Sequence, residues 1–249
     1  MISRQWKLLG LTVLLAPIPL SAQGLAQRIS KAGDGTVRLT FAARDGVCGD
    51  GESIHTSSRN DDDDGCICNG PVRVSLTVTG GRVTGLKTRV GGHWKSGTAT
   101  DLGQVAAADA AEYFLSLAEN ADGEVGKKAI LPAALADSAV VWRRLLAIAK
   151  NERVDQSERR EATFWVGQAA ESAATRGLDT LATDESGDRE IREAAVFALS
   201  QRPKDEGVPI LVRIAKTNRD PDIRRKALFW LGQSEDPRAL AVFEEILGS

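Results

Sequence analysis

The sequence predicts an α+β protein in which a small antiparallel β domain precedes an α-helical solenoid. Residues 35–95 contain short segments in which apolar and polar residues alternate, as they do in half-buried strands. Over residues 103–249 the apolar residues recur at helical spacing instead, and from about residue 140 the helical segments repeat. We therefore expect two domains, with the boundary between them at residues 95–103.

The first 26 residues have the pattern of a secretory signal peptide. Two cations precede an apolar run, residues 8–20, and small residues follow it. A membrane-spanning helix needs about 20 apolar residues, so no stable span is expected after cleavage. Cleavage is predicted near Ala22 or, as a second choice, near Ala26, with an uncleaved anchor as the alternative. The protein is thus predicted to be periplasmic or secreted.

The overall charge argues against one class of partner. The chain has 249 residues, of which 42% are hydrophobic and 27% charged, and its net charge is -2. This composition is typical of a folded soluble protein. Because a weakly acidic chain offers phosphate no general attraction, nucleic acid is not an expected partner. No cofactor is expected either.

Three strands are expected in the β domain, at residues 37–41, 72–78 and 83–90. The last two are joined by Gly80 and Gly81, a pair typical of a tight hairpin turn. Two helices then follow, at residues 105–117 and 129–135.

The cysteines Cys48, Cys66 and Cys68 predict a disulfide if the protein enters an oxidising compartment. Cys48 is expected to pair with either of the other two, because a bridge across a single intervening residue is strained. The bridge ties down residues 45–70, a long loop rich in Gly, Ser, Asp and Asn. The alternative is a zinc site, for which His55 has to supply the fourth ligand.

Three segments of the helical region align with one another. Residues 159–168, 192–201 and 224–233 read RREATFWVGQ, REAAVFALSQ and RRKALFWLGQ, at spacings of 33 and 32 residues. Such spacings are typical of helical solenoids, in which each helix pair buries its apolar face against its neighbours. An aspartate precedes each arginine by four residues and is expected to cap its helix, namely Asp155, Asp188 and Asp220.

Second helices accompany these segments at residues 208–216 and 237–247, and a similar one lies upstream at residues 141–150. With these helices, the segments DREIREAAVFALSQRPKDEGVPILVRIAK and DPDIRRKALFWLGQSEDPRALAVFEEIL resemble short HEAT-like repeats of the kind found in phycobilisome lyases. The resemblance covers about residues 140–249 and implies a solenoid. HEAT families are mostly scaffolds and binding modules, whereas the lyases attach bilins to cysteines. The resemblance therefore implies protein–protein interaction, with a lyase-type HEAT protein as an alternative, although no lyase motif is visible here.

Each repeat carries a phenylalanine on the side opposite its core stripe, namely Phe164, Phe197 and Phe229. Since solenoid repeats stack in register, we expect these rings to form a column flanked by Trp165 and Trp230. Such a column is either a partner-binding ridge or an apolar strip that the β domain or the first two helices cover. The five residues are the predicted partner-binding site.

Candidate chemistry is sparse. The pattern of Asn60, Asp62 and Asp64 resembles a calcium loop, but Pro71 occupies the position of its bidentate glutamate, so a hydrated charge run is the favoured interpretation. His55 and His93 lie in β-domain loops without an evident nucleophile. We therefore predict a non-enzymatic protein, with an envelope hydrolase that uses one of these histidines as the alternative.

Overall fold

A computed structural model describes residues 20–56, 67–68, 70–121, 123–137 and 139–247. The β region and the helix before it comprise α1 (Leu20–Lys31), β1 (Gly35–Phe41), β2 (Val47–Gly49), β3 (Ile54–Thr56), β4 (Ile67–Cys68), β5 (Val72–Thr79), β6 (Arg82–Val90) and β7 (Thr100–Gln104). The helical region comprises α2 (Ala107–Asn120), α3 (Glu124–Ala134), α4 (Trp142–Lys150), α5 (Gln156–Gly167), α6 (Ser172–Thr183), α7 (Arg189–Ser200), α8 (Lys204–Thr217), α9 (Pro221–Gly232) and α10 (Pro237–Leu247). The predicted α+β class is confirmed.

The larger sheet has the strand order β6-β5-β1-β7. The predicted hairpin is present, and its two turn residues Gly80 and Gly81 both have positive φ angles, 58° and 73°. The predicted antiparallel pairing holds for β1, β5 and β6, but the sheet extends beyond residue 95, because β7 continues it to Gln104 and pairs with β1 in parallel. After β6 the chain crosses the sheet and returns in the direction of β1.

The segment predicted as one long loop contains a second, three-stranded sheet of order β3-β2-β4. The predicted disulfide is confirmed, and it joins Cys48 to Cys68 across the β2–β4 pair. Cys66 and the acidic calcium-loop candidates lie outside the described residues.

One continuous core connects the sheet to the helices. Alternate residues of β1 and β5 face inward, and the ring of Phe41 lies 6.1 Å from that of Phe114 on α2. On α1, Leu25 and Ile29 are each 3% exposed and belong to the same core. The sheet and the helices are therefore packed together along an apolar interface. None of the described helices is long and apolar enough to cross a membrane.

The helices from α4 onward form two layers. Helices α5, α7 and α9 pack side by side in one layer, while α4, α6, α8 and α10 form the other. Helix α3 packs against α5 and so ends the first layer on the side of the sheet. The core stripe of α9 consists of Ile223, Ala227 and Leu231, all buried, as the helical periodicity predicts.

An ion-pair ladder joins successive repeats. Arg159 is 4% exposed and pairs with Asp188 at the start of α7, and Arg192 in turn places its Nη1 3.0 Å from Asp220 Oδ2 at the start of α9. Asp155 and Asp220 cap their helices through side-chain oxygens, as predicted. The side chain of Asp188 does not cap α7 and binds Arg159 instead. Asp188 and Asp220 thus connect neighbouring repeats.

A third buried arginine, Arg202, lies between α7 and α8 and connects α8 to α6 and to the loop before α6. It is 6% exposed, and its Nη2 lies 3.0 Å from the Glu206 carboxylate. The same guanidinium donates to Thr175 Oγ1 and to the carbonyls of Gly167, Ala169 and Glu171. Hydrogen bonds from Ser172, Thr175 and Arg202 lower the pKa of Glu206 to about 2. The Arg202 side chain therefore supplies hydrogen-bond donors to the backbone carbonyls of the loop that joins α5 to α6.

Candidate functional site

A groove of about 1120 Å³, here called the central groove, crosses α3, α5, α7 and α9. The groove runs along the solvent side of the layer formed by α5, α7 and α9, which contributes one helix from each repeat. Twelve residues line it: Lys127, Ser157, Arg160, Glu161, Phe164, Arg189, Glu190, Glu193, Ala194, Phe197, Lys226 and Trp230.

An aromatic row forms the apolar part of the central groove. Phe164 and Phe197 are stacked, with ring centroids 6.2 Å apart and planes 13° apart. Trp230 continues the row, with its ring 4.8 Å from that of Phe197. All three side chains are partly exposed. One ring from each repeat therefore contributes to a continuous strip that the β region does not cover completely.

The predicted column differs from this row at two of its five residues. Phe229 is 55% exposed but does not line the groove, and its ring contacts only the edge of Trp230 within the described part of the chain. The spacing explains the difference. Phe164, Phe197 and Trp230 follow one another at intervals of 33 residues, whereas the last two cap aspartates are only 32 residues apart. One residue on a helix turns the side chain by about 100°. Trp165 is 7% exposed and does not line the groove; its ring packs edge-to-face against that of Phe164, with centroids 5.2 Å apart, and its Nε1 donates to Glu161.

The rim of the groove carries both signs of charge, and most of these charges pair with each other across repeats. Arg160 lies 4.0 Å from Glu190, and Lys226 Nζ lies 3.0 Å from a Glu193 oxygen. Arg189 pairs with the other oxygen of Glu193 at 3.3 Å. Burial alone raises the pKa of Glu193, but the two cations outweigh it and lower the pKa. The rim is therefore largely neutralised, and Glu193 stays ionised at neutral pH.

The groove combines an apolar centre with a charged margin, which is the usual anatomy of a protein-binding surface. The Ser157 hydroxyl, which lines the groove, donates to Asp155, the carboxylate that caps α5. His55 and His93 are both exposed, and neither lines the groove. Among the described residues, no group of three or more His, Cys, Asp or Glu side chains is placed to hold a metal ion.

Sequence reasoning missed the rim and the third ring of the row. An alignment of the repeats on their arginines places Trp230 at the flank of the predicted phenylalanine column. Aligning on the 33-residue spacing of the aromatic residues identifies Phe164, Phe197 and Trp230 directly, and it places Arg160, Glu193 and Lys226 in a matching row. Lys127 lies outside the repeats and carries no periodic signal.

Comparison with known proteins supports the repeat assignment. A family model of HEAT repeats matches residues 178–249, which run from within α6 to the end of the chain. The helix pair α4 and α5 lies before the match but continues the same two layers. No curated protein matches the sequence significantly. Residues 178–249 of this chain are therefore similar to HEAT repeats, and the helix pairs before them extend the same two-layer stack.

Proposed function

We propose that this protein is a non-enzymatic scaffold that binds another protein in the central groove. The observation that carries the proposal is the aromatic row, in which three partly exposed rings from successive repeats lie against one another. Aromatic side chains dominate the binding energy of protein interfaces, and a charged margin around them favours one orientation of the partner. HEAT repeats are protein-interaction modules, which agrees with this assignment.

Replacing Phe197 with alanine is expected to abolish partner capture while leaving the fold intact. The ring is partly exposed, so its loss costs the folded state less than the 3–5 kcal/mol typical of a buried phenylalanine. The measurement is affinity capture from a cell-envelope fraction with the full chain as bait, followed by mass spectrometry of what co-purifies.

The matched control is Leu240→Ala on α10, since Leu240 is a large apolar side chain that is 61% exposed and lies outside the groove. The control is expected to capture the same protein as the wild type. If the Phe197→Ala protein captures it equally well, the groove is not the binding surface.

We further propose that the protein is exported and that cleavage occurs after Ala22. Leu25 is 3% exposed in the core, so cleavage after Ala26 removes a buried side chain, whereas cleavage after Ala22 keeps it. The amino-terminal sequence of the protein purified from its native cells is expected to begin at Gln23. A chain recovered from the cytoplasm with residues 1–22 intact contradicts this proposal.

A further inference from the structure

A second concave surface joins the central groove at one end. This cleft of about 550 Å³, here called the basic cleft, lies between β6 and α3. Lys127 and Glu161 line both surfaces, so the cleft and the groove are continuous. A polypeptide that occupies the groove therefore reaches the cleft without leaving the protein surface.

The acids of the basic cleft are already engaged. Glu52 lies 2.7 Å from Lys95, and Glu124 lies 3.2 Å from Lys128 on the next turn of α3. Glu161 accepts the Trp165 indole N–H at 2.9 Å. Glu52 and Glu124 are thus paired with lysines, whereas Glu161 has a neutral hydrogen-bond donor and keeps its charge.

Three cations of the cleft remain unpaired. Lys87, Arg89 and Lys127 have no acidic oxygen within 4.0 Å in the described part of the chain. Arg89 is also directly opposite Arg73 in the β5–β6 register, and like charges at such positions destabilise a sheet. Arg73 itself only donates to the Gly91 carbonyl and stacks on Trp94. The hydrogen bond from Lys95 and, less strongly, the charge of Arg89 lower the pKa of Glu52, and the residues that line the cleft keep a small excess of cations over carboxylates.

From this charge distribution we infer that the partner presents an acidic segment to the basic cleft, next to the apolar side chains that occupy the aromatic row. This inference rests on the proposed groove function and specifies the chemistry of the partner. Carboxylates of that segment pair with Lys87, Arg89 and Lys127. The aromatic row supplies burial, while the cleft supplies orientation and fast association.

Two labelled synthetic peptides test the inference on the full-length protein. One has four glutamates followed by a short run of Phe and Leu residues, and the other has glutamine in place of each glutamate. Fluorescence anisotropy is expected to show that the glutamate peptide binds at least about tenfold more tightly at low salt, with the advantage shrinking as salt screens the charges.

The charge-reversing pair Lys87→Glu and Arg89→Glu is expected to remove this preference. The change at position 89 places opposite charges across the β5–β6 pair, so the variant is expected to melt no lower than the wild type. Its matched control is Arg176→Glu with Arg219→Glu, two exposed cations outside the cleft that change the net charge equally.

Equal binding of the two peptides by the wild type, or no binding of the glutamate peptide, overturns the inference. The proposed groove function fails separately, because it is tested by capture with Phe197→Ala. If that variant loses capture but the wild type binds the two peptides equally, the groove function stands and the inference of an acidic segment fails. Binding of anionic phospholipid vesicles more tightly than the glutamate peptide also overturns the inference, since the cleft then serves a membrane surface.

Discussion

Replacing Arg202 with methionine is expected to lower the free energy of unfolding by about 3–5 kcal/mol. The guanidinium is 6% exposed, and it is shared by Thr175, Glu206 and the loop carbonyls between α5 and α6. Methionine fills a similar volume but donates no hydrogen bond. The oxygen atoms that accept from Arg202 are then left buried without a donor. Thermal unfolding followed by circular dichroism is expected to show a loss of about 10 °C.

The effect of Arg202→Met depends on pH with a definite sign. The pKa of Glu206 is lowered to about 2, so its contribution is complete above its unfolded-state pKa near 4.5 and is lost as the pH falls toward 2. The difference between variant and wild type is thus expected to shrink on acidification. Arg213→Met is the control, because Arg213 forms an exposed pair with Asp179 that is worth about 1 kcal/mol or less. Equal losses in the two variants contradict this account.

Gly207→Ala is expected to destabilise the protein by about 2–3 kcal/mol, although alanine favours helix formation by about 1 kcal/mol. Gly207 lies in the first turns of α8, and a Cβ atom there meets the backbone carbonyl oxygen of Leu199 at 2.2 Å. A backbone atom cannot rotate away, so α8 has to move from α7. The clash outweighs the gain in helix propensity, and chemical denaturation is expected to show a lower midpoint.

Gly187→Ala provides the control for that experiment. Its Cβ meets the nearest atom, the Asp184 carbonyl oxygen, at 3.4 Å, which is an ordinary contact. The midpoint is therefore expected to change little, by about 0.5 kcal/mol or less. If Gly207→Ala is as stable as the wild type, the close approach of α7 and α8 is not required.

The repeated helices and two of the three cap aspartates could be predicted because each depends on residues near in sequence. Apolar spacing identified the buried stripe of α9, and an aspartate before each helix identified its start. The hairpin followed from Gly80 and Gly81 for the same reason. Local backbone preferences and helical periodicity decide these features.

Features that depend on distant residues could not be predicted in this way. Strand β7 has weak strand character and forms by pairing with β1, more than sixty residues away in the chain. Arg202 has no neighbour in sequence that reveals its partners in the α5–α6 loop. The row was misassigned by one residue because stacking between repeats, which the sequence shows only through spacing, decides whether Phe229 or Trp230 joins it.

The central groove and the basic cleft are proposed to bind different parts of the same partner segment. The aromatic row is apolar, and its rim is neutralised by pairs such as Lys226 with Glu193. In the basic cleft, by contrast, Lys87, Arg89 and Lys127 form no ion pair within 4.0 Å among the described residues. A partner with apolar and acidic residues in one segment satisfies both surfaces at once.

The most direct measurement is site-specific photo-crosslinking in the cells that produce the protein. A photoreactive phenylalanine analogue replaces Phe197 in the aromatic row in one protein and the exposed Leu240 on α10 in another. Irradiation is expected to give a discrete adduct with the captured protein from position 197 and none from position 240. An adduct formed from position 240 alone would contradict the claim that the groove of the first layer binds the partner.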